Sequence, residues 1–199
     1  MNINSKLEIT ELIENYEVLS FDVFDTTLFR KVGKPKNVFL LRGRLFYFQR
    51  VNAEKFTRIV LKSFGKDEVS MKQIYVLLPF YKIEDEITLE KNQLFADPDM
   101  LEIFKICQSK RKKLYFVSDM YLSADVISDF LLSKGVKQPF NVISSSDYGK
   151  PKSKGLFEIL LDRERGVTPE RMLHIGDNFR SDFLAAKNYG MASYLIESE

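Results

Sequence analysis

The chain of 199 residues has a single cysteine, Cys107. That excludes a disulfide framework and a cysteine zinc cluster. Cys107 falls inside an apolar helical pattern, so it reads as a small buried hydrophobe in a reducing compartment. There is also a single histidine, His174. A serine–histidine triad would have to use it, and no nucleophile signature flanks it. It precedes Ile175 in a short apolar run and reads as a strand residue, packed or at an edge. No apolar run approaches the ~18 residues of a membrane span, and internal repeats and low-complexity segments are absent. The opening MNINSKLEITELIENYE is polar and amphipathic, unlike a secretory leader. These absences give the expectation of a cytoplasmic protein with no membrane partner. A net charge of +2 leaves no electrostatic footprint for nucleic acid.

Apolar residues make up 45% of the chain and charged residues 29%, enough for one good core or a core with a small second domain. A short amphipathic helix is predicted over 5–15, followed by a strand over 17–23. From 35 to 95 the apolar residues recur at helical spacing (Val38, Leu41, Leu45 and Phe48; Phe56, Ile59, Val60 and Phe64; Ile74, Leu77 and Leu78; Ile83, Ile87 and Leu94). Three or four helices without an intervening strand are expected there. From Pro98 onward, helix and strand alternate. Strands are predicted at 114–117, 140–143, 172–175 and 192–196, with helices at 100–107, 123–133, 155–161 and 183–189. Such alternation argues for an α/β protein with a doubly wound, Rossmann-like parallel sheet and helices on both faces. The helical block is too long for a connection and has its own periodicity, so it reads as a small all-helical domain. The expected division is residues 1–32 and 97–199 for the core and 33–96 for the helical domain.

Four predicted strands end in polar residues. The first gives Asp22, the second Ser118, and the segment after the third gives Lys150, Lys152 and Lys154. The fourth gives Asp177, with Asp182 five residues on. In a doubly wound sheet these ends converge on one crevice. Two or more carboxylates there suit an octahedral Mg²⁺. A carboxylate is also a nucleophile toward phosphorus or carbon, provided a cation cancels its repulsion with an anionic substrate. A serine hydroxyl and free backbone N–H groups can hold phosphate oxygens.

These residues resemble the motifs of the haloacid dehalogenase (HAD) superfamily, mostly phosphatases, over nearly the whole chain. Asp22-Val23-Phe24-Asp25-Thr26 is similar to its first motif and Phe116-Val117-Ser118 to its second. GKPKSKGLF is similar to the third, and Ile175-Gly176-Asp177-Asn178-Phe179-Arg180-Ser181-Asp182 to the fourth. The helical block resembles the cap that the superfamily inserts between its first two motifs. SFDVFDTTLFR and FVSDMYLS also resemble an uncharacterised branch associated with cell-surface polysaccharide enzymes. The resemblance implies a Mg²⁺-dependent hydrolase of a small phosphorylated metabolite, a monomer or homodimer. Asp22 would be nucleophile and metal ligand, Phe24 would lend its backbone carbonyl to the metal, and Asp177 would complete the metal shell. Thr26 would brace the loop and bind substrate, and Ser118 would hold the phosphoryl group. Asp182 would orient the site from behind the ligands. Lys152 is the preferred lysine, with Lys150 and Lys154 open.

One position departs from that pattern. Phosphatases of the superfamily carry an acid two positions after the nucleophile, and here Phe24 stands there, unable to transfer a proton. Asp25 would substitute only if the turn re-aims it. Two alternatives follow: a metal-independent 2-haloacid dehalogenase, and a non-catalytic or regulatory module. Between Lys31 and Lys66 lie ten basic residues and one acid, Glu54. That run either attracts an anionic substrate or forms a solvated helix face balanced by Glu84, Asp85, Glu86 and Glu90. Phe46, Tyr47 and Phe48 are candidates for core, substrate wall or partner surface.

Overall fold

A computed structural model describes residues 3–196. Helix α1 (Ile3–Asn15) leads into strand β1 (Val18–Phe21), and a tight turn gives the short strand β2 (Leu28–Arg30). Helices α2 (Asn37–Leu40), α3 (Arg44–Ser63), α4 (Met71–Tyr75) and α5 (Ile83–Gln93) follow, closed by strand β3 (Leu94–Ala96). Then come α6 (Pro98–Ser109), β4 (Lys113–Ser118), α7 (Ala124–Ser133), β5 (Asn141–Ser144), α8 (Ser145–Tyr148) and α9 (Leu156–Arg163). The chain finishes with β6 (Met172–Gly176), a π-helical turn (Phe179–Leu184), α10 (Ala185–Asn188) and β7 (Ala192–Leu195).

Five strands form one all-parallel sheet in the order β5-β4-β1-β6-β7. Central strands β1 and β6 are buried throughout, which is why their sequences are near-continuous apolar runs. Their side chains alternate between two cores. Leu19, Phe21, Phe116 and Ile175 pack with residues of α1, α6 and α7. Val18, Tyr115, Val117 and Met172 pack with residues of α9 and α10. On the first face, Phe104 and Phe116 meet edge to face at 5.1 Å, with Phe21 5.0 Å from Phe104 in the same manner. Cys107 is fully buried there, its thiol pushed up to about 12 by burial, as a packed hydrophobe requires. The chain winds outward from β1 through β4 to β5, then crosses back to β6 and β7. The direction of winding therefore reverses between β1 and β6, where doubly wound sheets bind ligands.

The expectation of no strand between 35 and 95 fails at its end. Leu94–Ala96 form β3, which pairs antiparallel with the unanticipated β2. Three residues are too few for a period of two to emerge from sequence, and Leu94 had matched the helical spacing of α5. Helices α2–α5 enter and leave through this two-stranded neck and have a small core of their own in Val38, Phe39 and Phe46. In the last crossover the predicted helix at 183–189 holds α10, and an unanticipated π-helical turn beginning at Phe179 runs into it. No described helix is long and apolar enough to cross a membrane.

Candidate active site

Asp22 and Asp177 are the first residues beyond β1 and β6, on either side of the switch point. Ser118 is the last residue of β4. All three line a cavity of about 250 Å³ with Phe24, Asp25, Asp119, Lys152 and Asp182. Asp22, Asp177 and Asp182 each have a carboxylate oxygen within 4.8 Å of the others'.

Lys152 neutralises this cluster from a 3₁₀ turn before α9. Its Nζ is fully enclosed, donating to Asp22 Oδ1 and to Asp182 Oδ1, while its backbone N–H donates to Asp119 Oδ1 at 2.8 Å. Burial disfavours its charge, but Asp22, Asp182 and Asp119 outweigh that and hold the ammonium protonated. The other two lysines are elsewhere. Lys150 is exposed and pairs with Glu158, and Lys154 is exposed and pairs with Asp67 at 2.9 Å. Neither lines the cavity.

Asp182 reaches the cluster because Asn178 caps the π-helical turn, its Oδ1 accepting from the N–H groups of Arg180 and Ser181 at 2.9 and 3.0 Å. The return also needs Gly176. A Cβ there would stand 2.4 Å from Asp182 Cγ, so any side chain at 176 would push the carboxylate aside. Asp182 Oδ1 accepts from Lys152 and His174 Nε2, and Oδ2 accepts from Asn178 N–H at 2.9 Å. Its oxygens are engaged within the protein, which makes it an anchor for Lys152. Burial raises its pKa, but Lys152 and His174 override this and keep it ionised.

His174 is neither exposed nor at a sheet edge. It is buried in β6 between β1 and β7, with Nε2 3.2 Å from Asp182 Oδ1 and Nδ1 2.8 Å from Ser20 Oγ. Burial holds its pKa below the usual value, so it is neutral. A carboxylate can only accept, so Nε2 carries the proton and Nδ1 accepts from the Ser20 hydroxyl. Ser20, His174 and Asp182 thus form a buried chain behind Lys152 that sequence reasoning did not anticipate.

The turn after β1 is tied down by two hydroxyls. Thr27 Oγ1 donates to the Asp22 carbonyl at 2.8 Å, and Thr26 Oγ1 donates to Asp177 Oδ1 at 3.1 Å. The Thr26 hydroxyl thus links the turn after β1 to Asp177, and Thr26 is not among the residues that line the cavity. Asp25 adopts a left-handed conformation (φ 63°), which aspartate tolerates better than most residues. That reversal brings it to the cavity wall although it is one position past Phe24. None of the ten basic residues between Lys31 and Lys66 lines the cavity. Several are committed elsewhere: Arg42 to Asp85, Arg50 to Glu86 and Glu54, and Arg58 to Glu54 and Glu68. Phe46 is core and Phe48 is exposed.

Burial pushes Asp22 up to about 7; Lys152 opposes the shift, and Asp182 and Asp177 add to it. Burial pushes Asp119 up to about 6 against the pull of Lys152. Three clustered carboxylates against one lysine leave an excess of buried negative charge. The donor set is all oxygen, with Asp177 half-open to the cavity, and it fits a hard divalent cation such as Mg²⁺.

The family described as HAD-hydrolase-like matches residues 147–199, the segment holding Lys152, Asp177 and Asp182. A glyceraldehyde 3-phosphate phosphatase of Methanothermobacter thermautotrophicus is 36% identical over 72 residues. That match covers 35% of this chain and about a third (31%) of the phosphatase. Among solved structures, the putative HAD-hydrolase YfnB of Bacillus subtilis, bound to magnesium, superposes with a TM-score of 0.60 at 17% identity. It covers 92% of this chain and 89% of its own. The L-2-haloacid dehalogenase of Xanthobacter autotrophicus gives a TM-score of 0.61 at 15% identity, over 91% and 77%. The chain thus has the fold of the HAD superfamily, and its last quarter matches that family's sequence model.

Proposed function

We propose that the crevice is the active site of a Mg²⁺-dependent phosphohydrolase acting on a small phosphorylated metabolite, with Asp22 as nucleophile. The observation that carries this reading is the buried Asp22–Lys152–Asp182 array beside Asp177, at the switch point and open to a cavity. The phosphatase relative and the magnesium-bound HAD neighbour support it.

In this reading Asp22 attacks phosphorus, the ester P–O bond breaks, and an aspartyl-phosphate forms. Water then attacks that phosphorus, releasing inorganic phosphate and regenerating the Asp22 carboxylate. Lys152 orients Asp22 and offsets its repulsion with the substrate. Ser118 receives a phosphoryl oxygen, and Asp182 with His174 fixes Lys152. Asp22, Asp177 and the Phe24 carbonyl are the groups that would hold the cation, which when bound supplies positive charge to the transferring phosphoryl group. The leaving oxygen needs a proton that Phe24 cannot give. Of the remaining carboxyls on the cavity wall, Asp119, held up to about 6, suits donation near neutrality better than an ordinary aspartate. Helices α2–α5 serve as a cap over the cavity.

The test is a Mg²⁺ assay over a panel of phosphate monoesters with wild type and Asp22→Asn. Asp22→Asn is expected to lose at least about 10³-fold in kcat/KM. Equal background rates in both proteins across the panel would sink the reading. Phe24 favours a second reading, a dehalogenase attacking carbon. It predicts halide release from 2-haloacids without Mg²⁺.

A further inference from the structure

Arg30 was not singled out by its sequence position, yet it is the second cation on the cavity wall. It lies on β2, at the neck of the helical insertion, with a side chain only 1% exposed. Its Nε donates to Glu90 Oε1 of α5 at 2.6 Å. Its guanidinium carbon lies 4.5 Å from the centroid of the Phe24 ring. The third contact is missing: Nη1 is buried and has no hydrogen-bond partner among the described residues. Nη1 makes only a long ion pair with Asp25 Oδ2, at 3.7 Å and beyond hydrogen-bond reach.

A guanidinium is always charged, and a buried donor left unsatisfied is costly. Here the side chain is clamped by Glu90 on one side and Phe24 on another, and the same side chain borders the cavity. Such an arrangement is expected where a ligand oxygen completes the set. The ligand oxygen is anionic, because a charged donor gains most from a charged acceptor. The transferring phosphoryl group already has Lys152 and Ser118 at the strand ends. Arg30 instead reaches the cavity from the neck, beside Phe24 and Pro35.

We infer that Arg30 is a specificity residue for a second anionic group, a carboxylate or phosphate on the leaving group of the phosphorylated substrate. This rests on reading the crevice as a phosphate-ester site. It narrows the substrate class to phosphate monoesters of acids, or bisphosphates, and disfavours esters of neutral alcohols. Phe24 then has a positive use: an apolar ring supports the guanidinium where an acid would draw it away from the ligand.

The test measures equilibrium binding by calorimetry in Mg²⁺ buffer, with full-length Asp22→Asn to prevent turnover. Methyl phosphate is the probe with one anion, phosphoglycolate adds a carboxylate, and 1,3-propanediol bisphosphate adds a phosphate. At least one doubly anionic probe is expected to bind tenfold or more tighter than methyl phosphate, and the two arms show which anion is read. Adding Arg30→Gln should abolish that advantage while changing methyl phosphate affinity less than threefold. Arg30→Gln leaves Glu90 buried alone, so Arg30→Gln/Glu90→Gln is run in parallel, with thermal melting to establish folding. The inference is overturned if no second-anion advantage exists, if the Arg30 variants retain it, or if all three probes weaken equally. Failure of the phosphohydrolase reading is separate: the probes bind as expected, but wild type with Mg²⁺ turns none of them over.

Discussion

Two cation–carboxylate clusters built on a buried cation invite comparison, one around Arg50 in the helical insertion and one around Lys152 in the sheet crevice. In the insertion, Arg50 donates from Nε and Nη2 to Glu86 at 2.7 and 2.9 Å and from Nη1 to Glu54 at 3.0 Å. Its guanidinium carbon is 4.7 Å from the ring centroids of both Phe39 and Tyr121. Tyr75 supplies a further donor to Glu86 at 2.8 Å. Every Arg50 nitrogen is engaged, and the contact with Tyr121 ties the insertion to the core. In the crevice, Lys152 faces Asp22, Asp182 and the nearby Asp177, and the surplus carboxylate opens on a cavity. Burial of charge does not by itself mark function. What separates the two clusters is access: every Arg50 nitrogen already has a partner, whereas the carboxylates around Lys152 open on a cavity.

Lys152→Met should have the largest effect on both activity and stability. It leaves Asp22 and Asp182 without their cation, so about 3–5 kcal/mol of stability should be lost near neutral pH, by denaturant unfolding, along with turnover. Arg50→Met should cost a similar ~3–5 kcal/mol by the same reasoning. Its kcat/KM should stay within threefold once rates are corrected for folded fraction; a larger loss would break the distinction between the clusters. A smaller effect is expected from the cation. Mg²⁺ at a hundred times its Kd should stabilise wild type by about 2.7 kcal/mol, read as a raised Tm, and should not stabilise Asp22→Asn/Asp177→Asn.

The remaining effect is the pH dependence of metal-free protein. Asp22, pushed up to about 7, keeps a proton in the folded state that the unfolded chain has released by pH about 4. Its contribution is therefore fully present below about 4 and lost as pH rises through about 7. Wild type should lose stability across that window relative to Asp22→Asn. Mg²⁺ should flatten the difference, because a cation favours the ionised form.

The parallel sheet was legible because its strands are apolar runs followed by polar residues, and because β4 to β7 alternate with helices. Asp22, Ser118, Lys152 and Asp177 could be named because each stands next to a strand end or in a distinctive segment. What sequence hid was set by side-chain reach across elements. His174 looked like an ordinary strand residue, since its partners Ser20 and Asp182 lie 154 and eight positions away. Lys152 was preferred with Lys150 and Lys154 left open, and it is the one of the three that the 3₁₀ turn buries. Arg30 closed a hydrophobic run and gave no signal, because its meaning depends on Glu90 sixty residues later. The basic run after Lys31 left two readings open, and the pairs Arg42–Asp85 and Arg50–Glu86 favour the one in which the later acids balance it.

The neck of the insertion has a consequence for how this architecture can change. Arg30 and Leu94 are direct partners in the β2–β3 pair, and Lys31 N–H donates to the Gln93 carbonyl at 2.9 Å. Everything from Lys31 to Gln93 therefore leaves and re-enters through one doorway a single strand spacing wide. To the parallel sheet, the whole helical segment is equivalent to a hairpin loop. The insertion is nonetheless packed onto the core, Met71 N–H donating to the Tyr121 carbonyl at 2.8 Å and Met71, Ile74 and Tyr75 joining the main apolar cluster. Arg30 stands at that threshold, bonded through Glu90 to the insertion and bordering the cavity at the strand ends, so a movement of α5 is carried directly to the cavity wall.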